Sequence, residues 1–488
     1  MRRIGLATAA ALVAALGLAL TLGLLGGTPR GAGDNGDGYR LYCGAGLVPE
    51  TPSHQANWQG GVVLDFVRGA PCPDPQPSSA AVFVRAVAGG QGPFSLVELG
   101  WLYVLLVLLA TLLAAWAVQE HGPRRLLFLV PPLVPLLEPD FARLFLSTFG
   151  EPAGLFGAYT LLCGVAVIAA TRVEDGFARL SALVLVAAGG VVAGLAKVGF
   201  LPLFALAVLV CLLTGVRLGA GRWWSARIAG PALAALLVLE MLAPVRAALD
   251  WQERTYADVN AVNLVYSLGL AEFPGSAPSL RLPEAAQDGA GHAFYPDGPD
   301  ELPGGDIVVS APGWFQGQVR DMLLAHPAAL ARVVGIGLQA TEGRGLSYLP
   351  DRPWTPESRP PVNSGAVSGD MGGDPVTFRA WLDDMVVPWW PSLLVLLGLA
   401  AGVAALVWRR VSALRYGAVA AVAALGALSI AAVAVAGDGY FEIAKHVWLA
   451  AYLLDVVALS LVLAVVPVVV RRFRTRPAPS RPALETVG

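Results

Sequence analysis

Long apolar runs separated by short polar turns dominate the chain. A helix needs about 20 apolar residues to cross the hydrocarbon core of a bilayer. Runs near that length fall at Gly5–Gly26, Leu99–Val118, Ala153–Ala170, Leu180–Ala196, Val198–Val216, Ile228–Val245, Val387–Val407, Tyr416–Ala436 and Val447–Val470. A shorter run, Leu126–Leu137, holds Pro131, Pro132 and Pro135. It is expected to cross as a broken segment whose freed carbonyls are taken up by neighbouring helices. Two long polar intervals remain, 27–98 and 246–386. Within the first, Gly60–Arg68 and Ala80–Ala88 are β-branched with partial alternation and read as short strands. Within the second, Trp314–Leu324 and Pro327–Ala340 read as helices, the latter with proline in its first turn. The Pro-, Gly- and Asp-rich stretches around 272–306 and 350–375 read as loops. The expected fold is an all-α transmembrane bundle of about ten spans with two extracytoplasmic loop regions of mixed α/β structure.

These patterns divide the chain into a first span (1–26), a first outer loop (27–98), a bundle (99–245), a large outer segment (246–386), C-terminal spans (387–470) and a tail (471–488). Arginine placement orients them. Arg2 and Arg3, Arg124 and Arg125, Arg172 and Arg179, Arg217, Arg222 and Arg227, Arg409, Arg410 and Arg415, and Arg471, Arg472, Arg474 and Arg476 mark alternate turns. The positive-inside rule then puts both termini in the cytoplasm of a multi-pass plasma-membrane protein. The first span is longer than a signal-peptide core and lacks a small-x-small cleavage site, so it reads as an uncleaved anchor.

Composition agrees. Of 488 residues, 56% are hydrophobic and 14% charged, against about a quarter charged in soluble domains. The net charge of −2 is sorted by side rather than pooled on one basic face, so no nucleic-acid partner is expected. Cys163 and Cys211 fall inside apolar spans, while Cys43 and Cys72 share the first outer loop, where a disulfide can form.

The chain has only two lysines, Lys197 and Lys445, and both lie at the span ends away from the arginines. Carboxylates gather on that same side: Asp34 and Asp37, Asp140 and Glu151, Asp438 and Glu442. Each lysine has two readings, a snorkelling anchor or a point charge suited to a phosphate. For Lys445 a local ion pair with Glu442, one helical turn away, is a third. The segment from Glu138 to Pro152 divides into an apolar face (Phe141, Leu144, Phe145, Thr148) and a polar one (Asp140, Arg143, Ser147), as in a short helix lying in the membrane interface. Glu240 and Asp455 lie inside spans, where an ionisable group marks a cavity or a polar helix contact. No Walker loop, dinucleotide fingerprint, His-Glu-x-x-His or Cys-x-x-Cys is present.

Three features together resemble the GT-C glycosyltransferase superfamily, and in particular its actinobacterial hexosyltransferases of glycan biosynthesis. They are the acidic motif after the first span (Asp34, Asp37), a Phe-x-Ser-x-Phe-x-Glu-Pro stretch (Phe145 to Pro152) and a Gly-Asp-Gly-x-x-Glu-x-x-Lys-His turn (Gly437 to His446). The resemblance implies a polyprenyl-phosphate-linked sugar as donor and an envelope glycan or other acceptor. It implies catalytic roles for Asp37, with Asp34 and Glu151 beside it. Lys197, Lys445, His446, Arg143 and Arg40 would hold the donor phosphate. Relatives carry Asp-Glu or Asp-x-Asp where this chain has Asp-Asn-Gly-Asp, so a divalent cation is left open as a cofactor. Likewise, an Asn-like position of relatives is Leu146 or Ser147 here. The rival expectations are a transporter or flippase of lipid-linked glycans and a non-enzymatic envelope assembly protein.

Overall fold

A computed structural model describes residues 2–27, 29, 38–50, 65–89, 93–119, 122–217, 225–295, 298–342, 389–408 and 412–474. The main helices, in chain order, are α1 (Arg2–Thr21), α2 (Ser79–Val87), α3 (Leu96–Gln119), α4 (Val130–Leu136), α5 (Glu151–Ala170), α6 (Gly176–Gly194), α7 (Leu201–Leu213), α8 (Ser225–Val262), α9 (Pro312–Ala325), α10 (Pro327–Gln339), α11 (Trp390–Val407), α12 (Tyr416–Asp438) and α13 (Trp448–Arg474). Among the described residues, seven helices are long and apolar enough to cross a membrane, namely α3, α5, α6, α8, α11, α12 and α13. α1 and α7 are shorter apolar helices packed in the same bundle. The chain is thus a multi-pass helical membrane protein.

The rods run antiparallel, and their turns sort by charge. At one end Arg125 lies within electrostatic reach of Arg172, Asp175 and Arg415, and Arg217 donates its amide to Val173. At the opposite end lie Lys197 and the turn that follows α12. The proline-rich segment joins the two ends. It begins as a 3-10 helix at Pro123–Leu129 and continues as α4. Two of its carbonyls are bonded by neighbouring helices: Tyr452 donates its hydroxyl to the Pro132 carbonyl at 2.8 Å, and Thr21 donates to that of Leu137 at 3.1 Å.

A tight seam joins α5 to α6. A Cβ on Gly157 would stand 2.3 Å from the Ala193 amide nitrogen, and one on Gly189 would stand 2.3 Å from that of Leu161. Small residues at such a seam let two backbones approach closely enough for dispersion to hold them without a hydrophobic driving force.

Above the lysine end sits a polar lobe. A three-stranded antiparallel sheet pairs β1 (Leu47–Pro49) with β2 (Asp65–Arg68) and β2 with β3 (Phe94–Ser95). Cys43 and Cys72 are joined in a disulfide beside it, with Cα atoms 5.3 Å apart. A second apolar core, including Leu264, Tyr266, Leu280, Phe315 and Val333, is built by the far end of α8, the segment 263–308, α9 and α10.

Two expectations need correction. Ala80–Ala88 is helical, not a strand: Ser78 caps α2 by accepting the Ala80 amide at 3.1 Å, and Ala80, Ala81 and Val84 bury one helical face. The Ile228–Val245 span is part of a longer helix, since α8 continues to Val262. The Glu138–Pro152 segment is not one short amphipathic helix with a wet face. Phe141, Leu144 and Phe145 are buried, and so are Asp140, Arg143, Ser147 and Glu151, because neighbouring helices cover both sides of the turn. Glu240 is exposed on α8 and makes no polar helix contact among the described residues, whereas Asp455 is fully buried in α13.

Candidate functional site

Glu151 is the first residue of α5, and Lys197 is an extended residue between the end of α6 and the 3-10 turn Val198–Phe200. Their tips meet with Nζ 3.0 Å from Oε1; the Lys197 side chain is 27% exposed and that of Glu151 9%. The first outer segment fastens the backbone beneath Lys197. Ser78 donates to the Ala196 carbonyl at 2.7 Å, Ser79 donates through its hydroxyl to Val192 at 2.6 Å, and the Ser79 amide reaches Leu195 at 2.9 Å. These bonds satisfy carbonyls that the end of a helix leaves without partners.

The second set lies in the turn between α12 and α13. Gly439 takes φ +65°, and a Cβ there would stand 2.4 Å from the Ser267 hydroxyl. The backbone therefore passes close against the π-helical turn Asn263–Gly269, and the Tyr440 amide donates to Ser267 at 2.9 Å. Lys445 Nζ lies 3.1 Å from Glu442 Oε2, the local pair expected from their spacing. His446 Nε2 lies 2.9 Å from Asp438 Oδ2. The other oxygen of Asp438 accepts the side-chain amide of Asn263 at 2.7 Å. Asn263 is completely buried, and its own carbonyl oxygen accepts the Phe294 amide at 2.8 Å. Tyr440 donates its hydroxyl to Glu272 at 2.6 Å. Burial first, then that bond, pushes the Tyr440 phenol above its ordinary range, so it keeps its proton and stays a donor at working pH.

The two sets share one end of the bundle, with the first turn of α5 between them. A Cβ on Gly154 would lie 2.7 Å from Phe200, three residues after Lys197, and 3.5 Å from Leu449, one helical turn after Lys445. The short helix Ala340–Glu342 packs beside Ile443–His446, which brings Glu342 to the same end.

Of the predicted site residues, Glu151 and Lys197 are brought together, and Lys445 and His446 lie at the same end of the bundle. Arg143 is buried in the 3-10 turn Arg143–Leu146. Arg40 lies on the helix Tyr39–Tyr42 with its guanidinium 4.8 Å from the Tyr256 ring centre, which turns it toward the outer lobe. Asp34 and Asp37 lie outside the described residues. Among the described residues no cluster of three His, Cys, Asp or Glu is placed to hold a metal ion. Sequence reasoning missed Asn263, Glu272 and Glu342. The signal for Asn263 was present, a single amide inside the apolar run Ala261–Leu270.

No curated protein and no solved structure matches this chain. A family model described as the YfdI N-terminal transmembrane domain matches residues 1–248. The matched part contains Arg40, Arg143, Glu151 and Lys197, and it ends before Asn263, Asp438, Lys445 and His446.

Proposed function

The chain belongs to the YfdI N-terminal transmembrane domain family, and on that premise we propose that it is a membrane glycosyltransferase. It moves a sugar from a polyprenyl-phosphate donor to an envelope glycan or other acceptor, with inversion, on the extracytoplasmic face of the plasma membrane. Both termini are then cytoplasmic. The observation that carries this reading is the gathering of Glu151–Lys197 and Glu442–Lys445–His446 at one end of an apolar bundle, opposite the arginine-rich turns.

A lipid-linked donor reaches such a site from the bilayer, leaving its phosphate level with the lysines. Lys197, Lys445 and His446 stabilise the charge that grows on the departing phosphate, and electrostatic stabilisation of this kind is usually the largest catalytic contribution. Arg143 and Arg40 belong to the same proposed phosphate set, with Arg40 also fastening the first outer segment to the lobe. Asp37 takes the proton of the acceptor hydroxyl as that oxygen attacks the anomeric carbon, a single displacement with one base. Asp34 and Glu151 support it, Glu151 by fixing the ammonium of Lys197.

The test is transfer by the purified protein in lipid vesicles. Lys197→Ala and Lys445→Ala are expected to raise the KM for a polyprenyl-phosphate sugar about tenfold each, the scale of one charge-assisted contact. Unchanged donor use in both variants would make the lysines anchors. Accumulation of intact lipid-linked glycan across the vesicle membrane without sugar transfer would favour a flippase instead.

A further inference from the structure

The three ionic pairs at the lysine end are balanced one against one: Lys197 with Glu151, Lys445 with Glu442, and His446, when protonated, with Asp438. Together they bring no surplus positive charge. A leaving phosphate monoester acquires an additional negative charge as its bond to the sugar breaks. At these three pairs that charge can be met by a proton.

Only one side chain of the three pairs is built to deliver it. His446 is held from behind through Nε2, and the oxygen holding it belongs to a carboxylate fixed by the fully buried Asn263. A carboxylate on one imidazole nitrogen fixes that nitrogen as a donor and leaves the other to exchange a proton. Asn263 is fixed in turn by the Phe294 amide and stands at the start of a π-helical turn, a form that recurs at functional sites. His446 itself keeps 23% of its side chain exposed.

We propose that His446 is the general acid of the transfer, with Asp438 and Asn263 as its positioning residues. The proposal rests on the glycosyltransferase reading above. The acceptor oxygen bonds to the anomeric carbon and its proton passes to Asp37. The bond between the anomeric carbon and the phosphate oxygen breaks with its electron pair on that oxygen. The Nδ1 proton of His446 moves onto the same oxygen, and a polyprenyl hydrogen phosphate departs. Solvent then reprotonates His446 and takes the proton from Asp37.

Among the described residues, the titratable groups on the elements packed around His446 include Asp438 at the end of α12, Tyr440 and Glu442 in the turn, Lys445 on its own short helix, Glu342 on the helix Ala340–Glu342, Tyr452 and Asp455 on α13, and Tyr295, whose ring packs against Phe441. Tyr440 is tied to Glu272 and Lys445 to Glu442, so neither is arranged as the acid.

The experiment measures kcat and donor KM against pH in vesicles, with a polyprenyl-phosphate hexose or pentose that the unaltered protein uses. His446→Gln is expected to lower kcat about 100- to 1000-fold, the usual range for a lost acid–base group. It should leave donor KM within about twofold and abolish the fall in rate on the alkaline side. That fall follows from the sign of the role, since an acid works only while protonated. Asp438→Asn and Asn263→Ala should each lower kcat less and displace the alkaline limb. A raised donor KM with the limb intact would make His446 a phosphate ligand only, and an unchanged rate would make it structural. A proton inventory on the unaltered protein needs no variant: a curved plot, with two protons in flight, supports the acid, and a straight one overturns it. If the unaltered protein uses no such donor, the glycosyltransferase reading itself fails, which the variants alone cannot cause.

Discussion

Gly189→Ala is expected to remove the protein from the membrane as a folded species. Alanine is normally a gain of about 1 kcal/mol over glycine inside a helix. Here the added Cβ would stand 2.3 Å from the Leu161 amide nitrogen and 2.6 Å from the Gly157 carbonyl oxygen. Both are backbone atoms of a helix packed along its length, so no side chain can turn aside. α5 and α6 must separate, and with them goes the seam that positions Glu151 and Lys197. Overpacking against backbone of this kind belongs to the exceptional class, above about 4 kcal/mol. Gly335→Ala in α10 is the matched control, because a Cβ there meets nothing within 4 Å. It should be neutral or slightly stabilising. Membrane abundance and detergent thermal stability of the two variants check the contrast, and equal behaviour would show that α5 and α6 are not in this contact.

Asp37→Asn should abolish sugar transfer, by about 1000-fold or more, while membrane abundance stays normal. Asparagine keeps the shape and cannot accept the acceptor's proton, so the loss should appear in kcat rather than in donor KM. The described chain that follows Asp37 is tied to the Lys197 end of the bundle. The helix Tyr39–Tyr42 packs beside α2, and α2 is bonded through Ser78 and Ser79 to the backbone just before Lys197. Transfer measured in vesicles with the purified variant decides it. Retained activity would remove Asp37 from the role of base and leave His446 and Glu151 as the ionisable groups to examine.

The bundle was legible because membrane crossing imposes a length and an apolar composition that few other structures share, and because arginine and lysine are sorted by end. Pairings across the fold were not legible. Lys197 and Glu151 were both singled out, but 46 residues separate them and only the antiparallel packing of α5 and α6 joins them. Asn263 and Asp438 are 175 residues apart, so nothing local could link them. The strand read at Ala80–Ala88 followed its valines, yet Ala80, Ala81, Val84 and Ala88 carry a helical spacing of their own, and the cap at Ser78 settles which wins. In Glu138–Pro152 the sequence divides into an apolar and a polar face, but periodicity says only which residues share a face. It cannot say that other helices will cover both.

α8 runs 38 residues without a break in its helical assignment, about 57 Å at 1.5 Å per residue, nearly twice the hydrocarbon thickness. Its membrane-crossing window is only 11% buried, whereas its far end is gripped: the Trp251 indole donates to the Asp74 carbonyl at 3.2 Å, and the turn that continues it holds Asp438 through Asn263. Such a rod is a lever with a loose shaft and a clamped tip. A tilt of about 5° about its arginine-side end would sweep the tip by roughly 5 Å over that length, enough to shift the carboxylate behind His446. Bilayer thickness, which sets the tilt of a long helix, would in this way be transmitted to the ionisable cluster without any ligand touching it.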